Sequence, residues 1–470
     1  MKKTLIIPVV SEMEKNRDYL IHKTTFQVEA GCEQLAITFD SKNIRWATCN
    51  VHQENNLRGQ AVLTAKKETE TILIGTDHRF VSATSIPGPI SPGLWEVEIE
   101  MKPHETGAAE MAIHYEPREK VRVVPDGITG ECAIHLTRPN DKMGPGWYKG
   151  DFHTHTVYSD GSMTREQNLA SAKCQQLDFF VATDHNILTG YWPHDEAVTV
   201  FPGSEMTAPN GHANFLFAKE PIFNHCRLED MYSEDGVNRI IESNRENGLF
   251  SINHPFLTPW AWLFKDTKLA AVAAIELCND PTYPDNELAT EEALSFWSSL
   301  LNDGNRITGI GGSDSHLLPD ETYPEATEPS LIGDPGTYIY ASSLTAEALQ
   351  EGIKAGHAII SRDGFIAYQV NGETLFPGDT LANGSGLLEV TCERDRVSKY
   401  QWVVDGHIVQ EDIGKKAGYA YHFPEGEYHW VRVDVRDEAN HFIGTTNPFY
   451  WGEKQPTLDT WGEAIDKWEQ

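Results

Sequence analysis

Positive charge is scarce in this chain: 38 Lys and Arg stand against 70 Asp and Glu in 470 residues, a formal net charge of -32 at pH 7. Binding to a nucleic-acid backbone or an anionic membrane needs clustered cations, so neither partner is expected. Cysteine is sparse and unpaired by motif. The seven residues Cys32, Cys49, Cys132, Cys174, Cys226, Cys278 and Cys392 include no Cys-x-x-Cys, which argues against a zinc ribbon or a disulfide framework and for mostly buried thiols in a reducing compartment. No apolar run approaches the roughly 18 residues of a membrane-spanning helix. The opening residues 1–10 are basic and briefly apolar, but Glu12, Glu14 and Lys15 follow, too little for a signal peptide. Internal repeats and low-complexity tracts are also lacking. These absences predict a cytoplasmic protein with a small-molecule partner, and they leave a homo-oligomer open.

What is present is histidine in company. Residues 151–160 read Asp-Phe-His-Thr-His-Thr-Val-Tyr-Ser-Asp. His153 and His155 sit two apart, so on a strand both imidazoles face one side. Asp160 follows where the chain turns at Gly161. Further on come Thr183-Asp184-His185, Gly203-Ser204-Glu205, Gly211-His212, Asn253-His254-Pro255 and Gly312-Ser313-Asp314-Ser315-His316. Each closes an apolar run or lies beside Gly or Pro, where a strand hands over to a loop. A lone His is more often a surface residue or a satisfied core group. These clusters supply more imidazole and carboxylate than one metal ion uses, and predict a multinuclear site.

Hydrophobic patterning divides the chain into four stretches. Residues 1–148 carry short alternating runs, such as Leu94-Trp-Glu-Val-Glu-Ile-Glu-Met101, punctuated by Pro87-Gly-Pro-Ile-Ser-Pro-Gly93, and read as a β-sandwich. Residues 149–363 alternate strand-like and helix-like runs, as an α/β unit does. Residues 364–450 return to short strands, with Asn371-Gly372 and Asp405-Gly406 as hairpin signals. Residues 451–470 form a tail closing in a short helix. Within the second stretch, Thr164 and Gln167 form a capping box, predicting a helix to about Gln176 with Leu169, Ala170 and Ala172 inward. Leu177–Ala182 then reads as a buried strand ending at the 183–185 cluster, and strand ends are where chemistry gathers in α/β folds. Trp46, Trp95, Trp402 and Trp430 read as core residues of the β-rich flanks, which wall the site's mouth or mediate self-association.

The stretch from Gly150 to Gly161, with Thr183-Asp-His185, Gly203-Ser-Glu205, His254-Pro255 and Gly312-Ser-Asp-Ser-His316, resembles the PHP (polymerase and histidinol phosphatase) metal-dependent hydrolases. The flanking Gly144-Pro-Gly-Trp-Tyr-Lys-Gly150, Gly356-His-Ala-Ile-Ile-Ser361 and Thr445-Thr-Asn-Pro448 are similar to the carbaryl-hydrolase-like branch. The resemblance implies a distorted seven-stranded β/α barrel between β-sandwich flanks. It also implies that His153, His155, Glu205 and Asp314 hold one metal, and that Glu205 bridges to a second completed by His212 and His254. Asp160, His185 and His316 would hold a third. In many relatives the position of Asp160 is His; a carboxylate lowers the site's charge and favours a harder ion. His225 is a rival to His212, and Asp184 is expected to steer His185.

Imidazole and carboxylate without thiolate suit two or three divalent ions, Zn, Mn or Fe(II). The implied activity is metal-dependent hydrolysis by a metal-bridging hydroxide, with Glu205, His185 and His316 as catalytic groups. Phosphoester hydrolysis comes first, with a small phosphate ester as substrate; carbamate or carboxylic-ester hydrolysis is the alternative. A phosphate needs an Arg fork, for which Arg306, Arg165 and Arg362 lie near motifs. An aryl ester needs an aromatic wall, for which Trp260 and Trp262 with Phe256 and Phe264 follow His254. Asn253, Glu276 and Asn279 sit at apparent strand ends as further substrate contacts. A scaffold with a degenerate hydrolase core is disfavoured, because every cluster retains ligand chemistry.

Overall fold

In the computed structural model, residues 3–9, 19–104, 109–123, 144–372, 375–394 and 396–470 are described. Glu12, Glu14, Lys15 and Cys132 lie outside them. The first strands are β1 (Lys3–Val9), β2 (Leu20–Val28), β3 (Gln34–Lys42), β4 (Ile44–Gln53), β5 (Asn56–Thr64), β6 (Thr69–Gly75), β7 (Gly93–Pro103) and β8 (Ala109–Arg118). They form two four-stranded sheets, β1-β8-β3-β6 and β2-β7-β4-β5. Phe26, Ile37, Val51, Trp95, Ile99 and Ile113 fill the core between them. The alternation in β7 puts Trp95, Val97, Ile99 and Met101 inward, as expected. The intervening Glu98 and Glu100 are not in solvent. Both are buried, because the outer face of their sheet docks on a 3₁₀ turn at Leu228–Tyr232.

The next strands are β9 (Gly146–Asp151), β10 (Phe179–Ala182), β11 (Thr199–Ala208), β12 (Gly211–Leu216), β13 (Leu249–Ile252), β14 (Ala274–Asn279) and β15 (Thr308–Gly312). They lie side by side in sequence order. The pairs β9–β10, β10–β11, β13–β14 and β14–β15 are parallel, whereas β11–β12 and β12–β13 are antiparallel. Beyond their ends the first and last strands meet: Thr154 bridges Ser315 in parallel and the Asp314 N–H donates to the His153 carbonyl at 2.8 Å. Helices are few: α1 (Arg165–Cys174), α2 (Glu234–Ser243), α3 (Asn286–Asp303) and, further on, α4 (Ala346–Lys354) and α5 (Trp461–Trp468). The expected barrel is met at the coarser level, as a mixed α/β arrangement with much sheet.

Thr164 caps α1 in a capping box with Gln167, and the helix ends at Cys174, two residues short of expectation. Leu169 and Ala172 face inward, but Ala170 is exposed; Asn168 and Ser171 take the buried positions instead. Short apolar side chains gave too weak a periodic signal to set the helix phase.

The remaining strands are β16 (Gly336–Ala341), β17 (Ala358–Ser361), β18 (Ile366–Val370), β19 (Ser385–Cys392), β20 (Ser398–Val404), β21 (His407–Gly414), β22 (Ala417–His422), β23 (His429–Arg436), β24 (Phe442–Thr446) and β25 (Phe449–Trp451). Hydrogen bonding crosses the boundary expected near residue 363. β9 pairs with β16, β16 with β17, and β17 with β24, so β24, β23, β20 and β21 extend the sheet that carries β9–β15. Asp405 and Gly406 both have positive φ and join β20 to β21, as a two-residue hairpin requires. Asn371 and Gly372 also have positive φ, but the next strand starts only at Ser385. The described cysteines are free; four are buried, Cys32 is half-buried and Cys174 is exposed. No helix among the described residues is long and apolar enough to cross a membrane.

Candidate metal centre

Strand direction explains how distant residues meet. β9, β10, β13 and β15 end just before His153, His185, His254 and Asp314, so their C-terminal ends share one rim. β12 runs the other way, so His212, near its start, reaches the same rim. Glu205 does not close a strand as expected. It lies within β11, which outruns β10 and continues alongside β12, with a bridge between His185 and Glu205.

The side chains converge on Glu205. Its Oε1 lies 3.2 Å from His153 Nε2, 3.2 Å from His212 Nδ1 and 3.7 Å from His254 Nε2. Its Oε2 lies 2.6 Å from His185 Nδ1 and 3.5 Å from His155 Nε2. Asp314 Oδ1 stands 2.9 Å from His155 Nε2 and 3.2 Å from His153 Nε2. Asp160 Oδ1, at the mouth, is 3.3 Å from His185 Nε2 and 3.2 Å from His316 Nε2. All nine expected ligands are therefore brought together. Donor atoms within 4.8 Å of one another group as His155, Asp160, His185 and His316; as His153, Glu205 and His254; as His153, His155 and Asp314; and as His185, Glu205 and His212.

The donor set fits divalent cations. His155 Nδ1 and Nε2, Glu205 Oε2, His254 Nδ1 and Asp314 Oδ1 are buried without a hydrogen-bond partner, a costly state unless another group satisfies them. Burial, with His316 and His185 nearby, pushes the His155 imidazole down to about 4. Burial alone leads the fall of His212 to about 4, so both rings are neutral with a lone pair to give at pH 7. Burial works to raise the Glu205 carboxyl, but the imidazoles of His153, His185 and His212 outweigh it and hold it well below the usual range. His254 and Asp314 adopt φ of 28° and 47°, left-handed geometry that non-glycine residues keep where surrounding structure enforces it.

Neighbours orient the ligands. His153 Nδ1 donates to Glu276 Oε1 at 3.1 Å, which turns Nε2 toward Glu205 and Asp314, the carboxylate–histidine support common at metal sites. Glu276 Oε2 also accepts from the His254 N–H at 2.8 Å and from Asn279 at 3.0 Å. His316 Nδ1 donates to the Asp314 carbonyl at 2.7 Å, leaving Nε2 for the cavity. Asn253 donates to Glu205 Oε1 at 2.9 Å. Asp184 does not steer His185: it accepts from Thr156, Ser159 and Thr189 and holds the loop that leads to Asp160. His185 Nδ1 instead meets Thr207 Oγ1 at 2.5 Å.

Above the rim lies a cavity of about 670 Å³. Trp260 lines it, with Leu257, Tyr283 and Tyr323. Asn279, also expected to contact substrate, lines it too, whereas the other expected substrate residues do not. Trp262 is buried against Phe250 and Phe264. The Arg306 guanidinium lies 4.1 Å from the Tyr450 ring and donates to the Gly452 carbonyl. Arg362 is forked onto Asp334 at 2.9 and 3.0 Å, and Arg165 donates to the Gly190 and Tyr191 carbonyls. Proximity in sequence to a motif did not reveal these partners. His225 pairs with Glu220 at the surface, away from the cluster. Trp46, expected in the core, instead lines the cavity edge-on to His185, with ring centroids 5.5 Å apart.

No protein-family model and no curated protein matches the chain. Among solved structures, it is similar to a two-domain protein containing a predicted PHP-like metal-dependent phosphoesterase from Bacteroides vulgatus, at 16% identity, covering 66% of this chain and 98% of that one, with a TM-score of 0.39. It is also similar to an FMN-binding β-glucuronidase from Facaelibacterium prausnitzii (9% identity, 94% and 92% covered, TM-score 0.23). A β-glucosidase from Streptomyces venezuelae matches at 8% identity, 94% and 46% covered, with a TM-score of 0.20. Likeness at this level sets neither fold nor activity.

Proposed function

We propose that this chain is a metal-dependent hydrolase of the PHP type, acting on a small phosphate ester. The carrying observation is the convergence of six imidazoles and three carboxylates at one strand rim, with several of their donor atoms buried and unpartnered. In this reading the β9–β15 run is the distorted barrel, residues 1–148 and 364–450 are flanking domains, and the partner is a cytoplasmic small molecule rather than nucleic acid or membrane. His153, His155, Glu205 and Asp314 hold one divalent ion, Glu205, His212 and His254 a second, and Asp160, His185 and His316 a third.

When bound, such ions polarise the scissile group and ionise water at neutral pH. The chain's own groups do the rest. Glu205 sits between the imidazoles of five histidines and keeps them in register. Asn253 fixes the Glu205 carboxylate, and Glu276 fixes His153. Where no ion occupies the third position, His316, raised to about 10 as Asp160 and Asp314 outweigh the effect of burial, carries a proton on Nε2 against Asp160 and is placed to reach a leaving group in the cavity.

Carbamate or carboxylic-ester hydrolysis is the second reading, favoured by a specific observation. Trp46, Trp260, Tyr283 and Tyr323 give the cavity aromatic walls, whereas Arg306 and Arg362 are engaged elsewhere. Assay of one metal-loaded preparation on aryl phosphate and aryl carbamate separates the two. Phosphate turnover supports the first, and turnover of carbamate alone moves the assignment to the second. Glu205→Gln, folded and metal-loaded, is expected to be inactive on either; wild-type turnover by that variant contradicts the mechanism.

A further inference from the structure

The cavity is uneven in charge. Its floor carries the carboxylates of Asp160 and Asp314, whereas one wall is cationic and comes from the N-terminal sheets: Arg45, Trp46, Thr64, Lys66 and Lys67. A bulge produces this wall. Ile44 pairs with Pro103 and Trp46 with Lys102, so Arg45 is the extra residue, and a bulge re-aims side chains that would otherwise alternate between faces. Arg45 and Trp46 consequently line one cavity. Trp46 Nε1 donates to Thr48 Oγ1 at 3.1 Å, which holds the indole against His185.

The three cations differ in their engagement. Lys67 is committed, donating to the Val157 and Tyr158 carbonyls at 3.0 and 2.9 Å and lying 3.5 Å from Glu70. Arg45 and Lys66 are exposed, and among the described residues neither side chain has a hydrogen-bond or ion-pair partner. In a chain with 70 acidic residues to 38 basic ones, two such cations side by side at a cavity mouth make a local positive field where the overall field repels anions. Trp260, Tyr283 and Tyr323 line the same cavity as a contiguous aromatic set, with successive ring centroids 6.3 and 5.2 Å apart. Asp280 lines the same cavity and accepts from Thr282 and Ser330.

We infer that Arg45 and Lys66 bind a second anionic group of the substrate, at the end remote from the scissile bond, with an apolar ring-sized body against Trp46 and the Trp260–Tyr283–Tyr323 set. The substrate class is then an ester whose leaving group bears a carboxylate or a further phosphate. This rests on the hydrolytic reading only for which end reacts.

Binding to non-hydrolysable phosphonates tests the rim without turnover. The metal-loaded full chain is titrated with 4-carboxybenzylphosphonate, its neutral 4-carbamoyl analogue, and the para-bisphosphonate, the last distinguishing a phosphate from a carboxylate. Two exposed charge contacts predict about five- to ten-fold tighter binding of the anionic probes than of the neutral one, a preference that shrinks as salt rises. In R45Q/K66Q the ratio falls to about one, and in R45K/K66R it is kept. A ratio near one in the wild type, or one that survives R45Q/K66Q, overturns the inference. If the binding preference follows the rim variants but neither aryl phosphate nor aryl carbamate is turned over, the rim stands and the hydrolytic reading fails.

Discussion

At the scale of single residues, Glu276 shows how much of the centre lies outside its ligands. Its carboxylate holds His153 and the His254 backbone together, and losing such support typically costs about 10–100-fold in metal affinity. Glu276→Ala is therefore expected to weaken metal binding by that order in a chelator competition, with the circular dichroism spectrum unchanged. Gly312 is equally constrained: a Cβ there would sit 2.5 Å from His153 Cβ and 2.6 Å from Glu276 Oε1, so Gly312→Ala is expected to displace His153. Far from the centre, burial followed by the charges of Arg227 and Lys23 depresses His52 to about 4. Its contribution to stability is present above pH 6.5 and is lost as pH falls through 4, on the order of 3 kcal/mol in full. Denaturant titrations at pH 7 and 5 are expected to show a larger fall for the wild type than for His52→Gln. The ligands were legible in the sequence because most follow directly on an apolar strand-like run or sit beside Gly or Pro, although Glu205 lies inside its strand. Trp46 was not, since a half-buried ring on a β-strand carries no local mark of the bulge that turns it outward.

At the scale of elements, pattern and contact part ways where one surface docks on another. The glutamates of β7 alternate with apolar residues as a solvent face does, yet Glu98 accepts from the Leu228 N–H at 3.3 Å and pairs with Lys23 at 3.4 Å, while Glu100 accepts from Tyr232 at 2.5 Å. Alternation reports the core side of a strand, not what covers the other side. The N-terminal sheet also reaches the metal rim through Gln60, which is buried, donates to the Asn186 carbonyl at 3.0 Å and accepts from the Leu188 N–H at 3.2 Å. Gln60→Ala is expected to speed amide exchange across residues 186–190, directly after His185, and unchanged exchange there would contradict this coupling. Capping was legible and quantifiable: Thr164→Ala is expected to cost about 1 kcal/mol in urea unfolding by removing the box that starts α1.

At the scale of the whole molecule, six imidazoles and three carboxylates packed into one rim link folding to cation binding, since ions that bind only the native state stabilise it by mass action, about 4 kcal/mol at a thousand-fold excess over Kd. The alternation of strand-rich and helix-bearing stretches was visible in the sequence. The continuation of one sheet from β9–β15 through β17 and β24 was not, because pairing between strands some 85 residues apart (Ile360 with Thr445) leaves no local signature. Similarly, only the antiparallel course of β12 explains why His212 joins the other ligands, and a spacing rule cannot supply that. Metal analysis of the purified chain, before and after reconstitution, followed by assay of the same sample on aryl phosphate, tests the central claim most directly. Two or three divalent ions per chain, phosphate turnover, and loss of both turnover and thermal stability on chelation are the predicted result. A chain that retains no metal after reconstitution, with an unfolding midpoint indifferent to chelator, would contradict it.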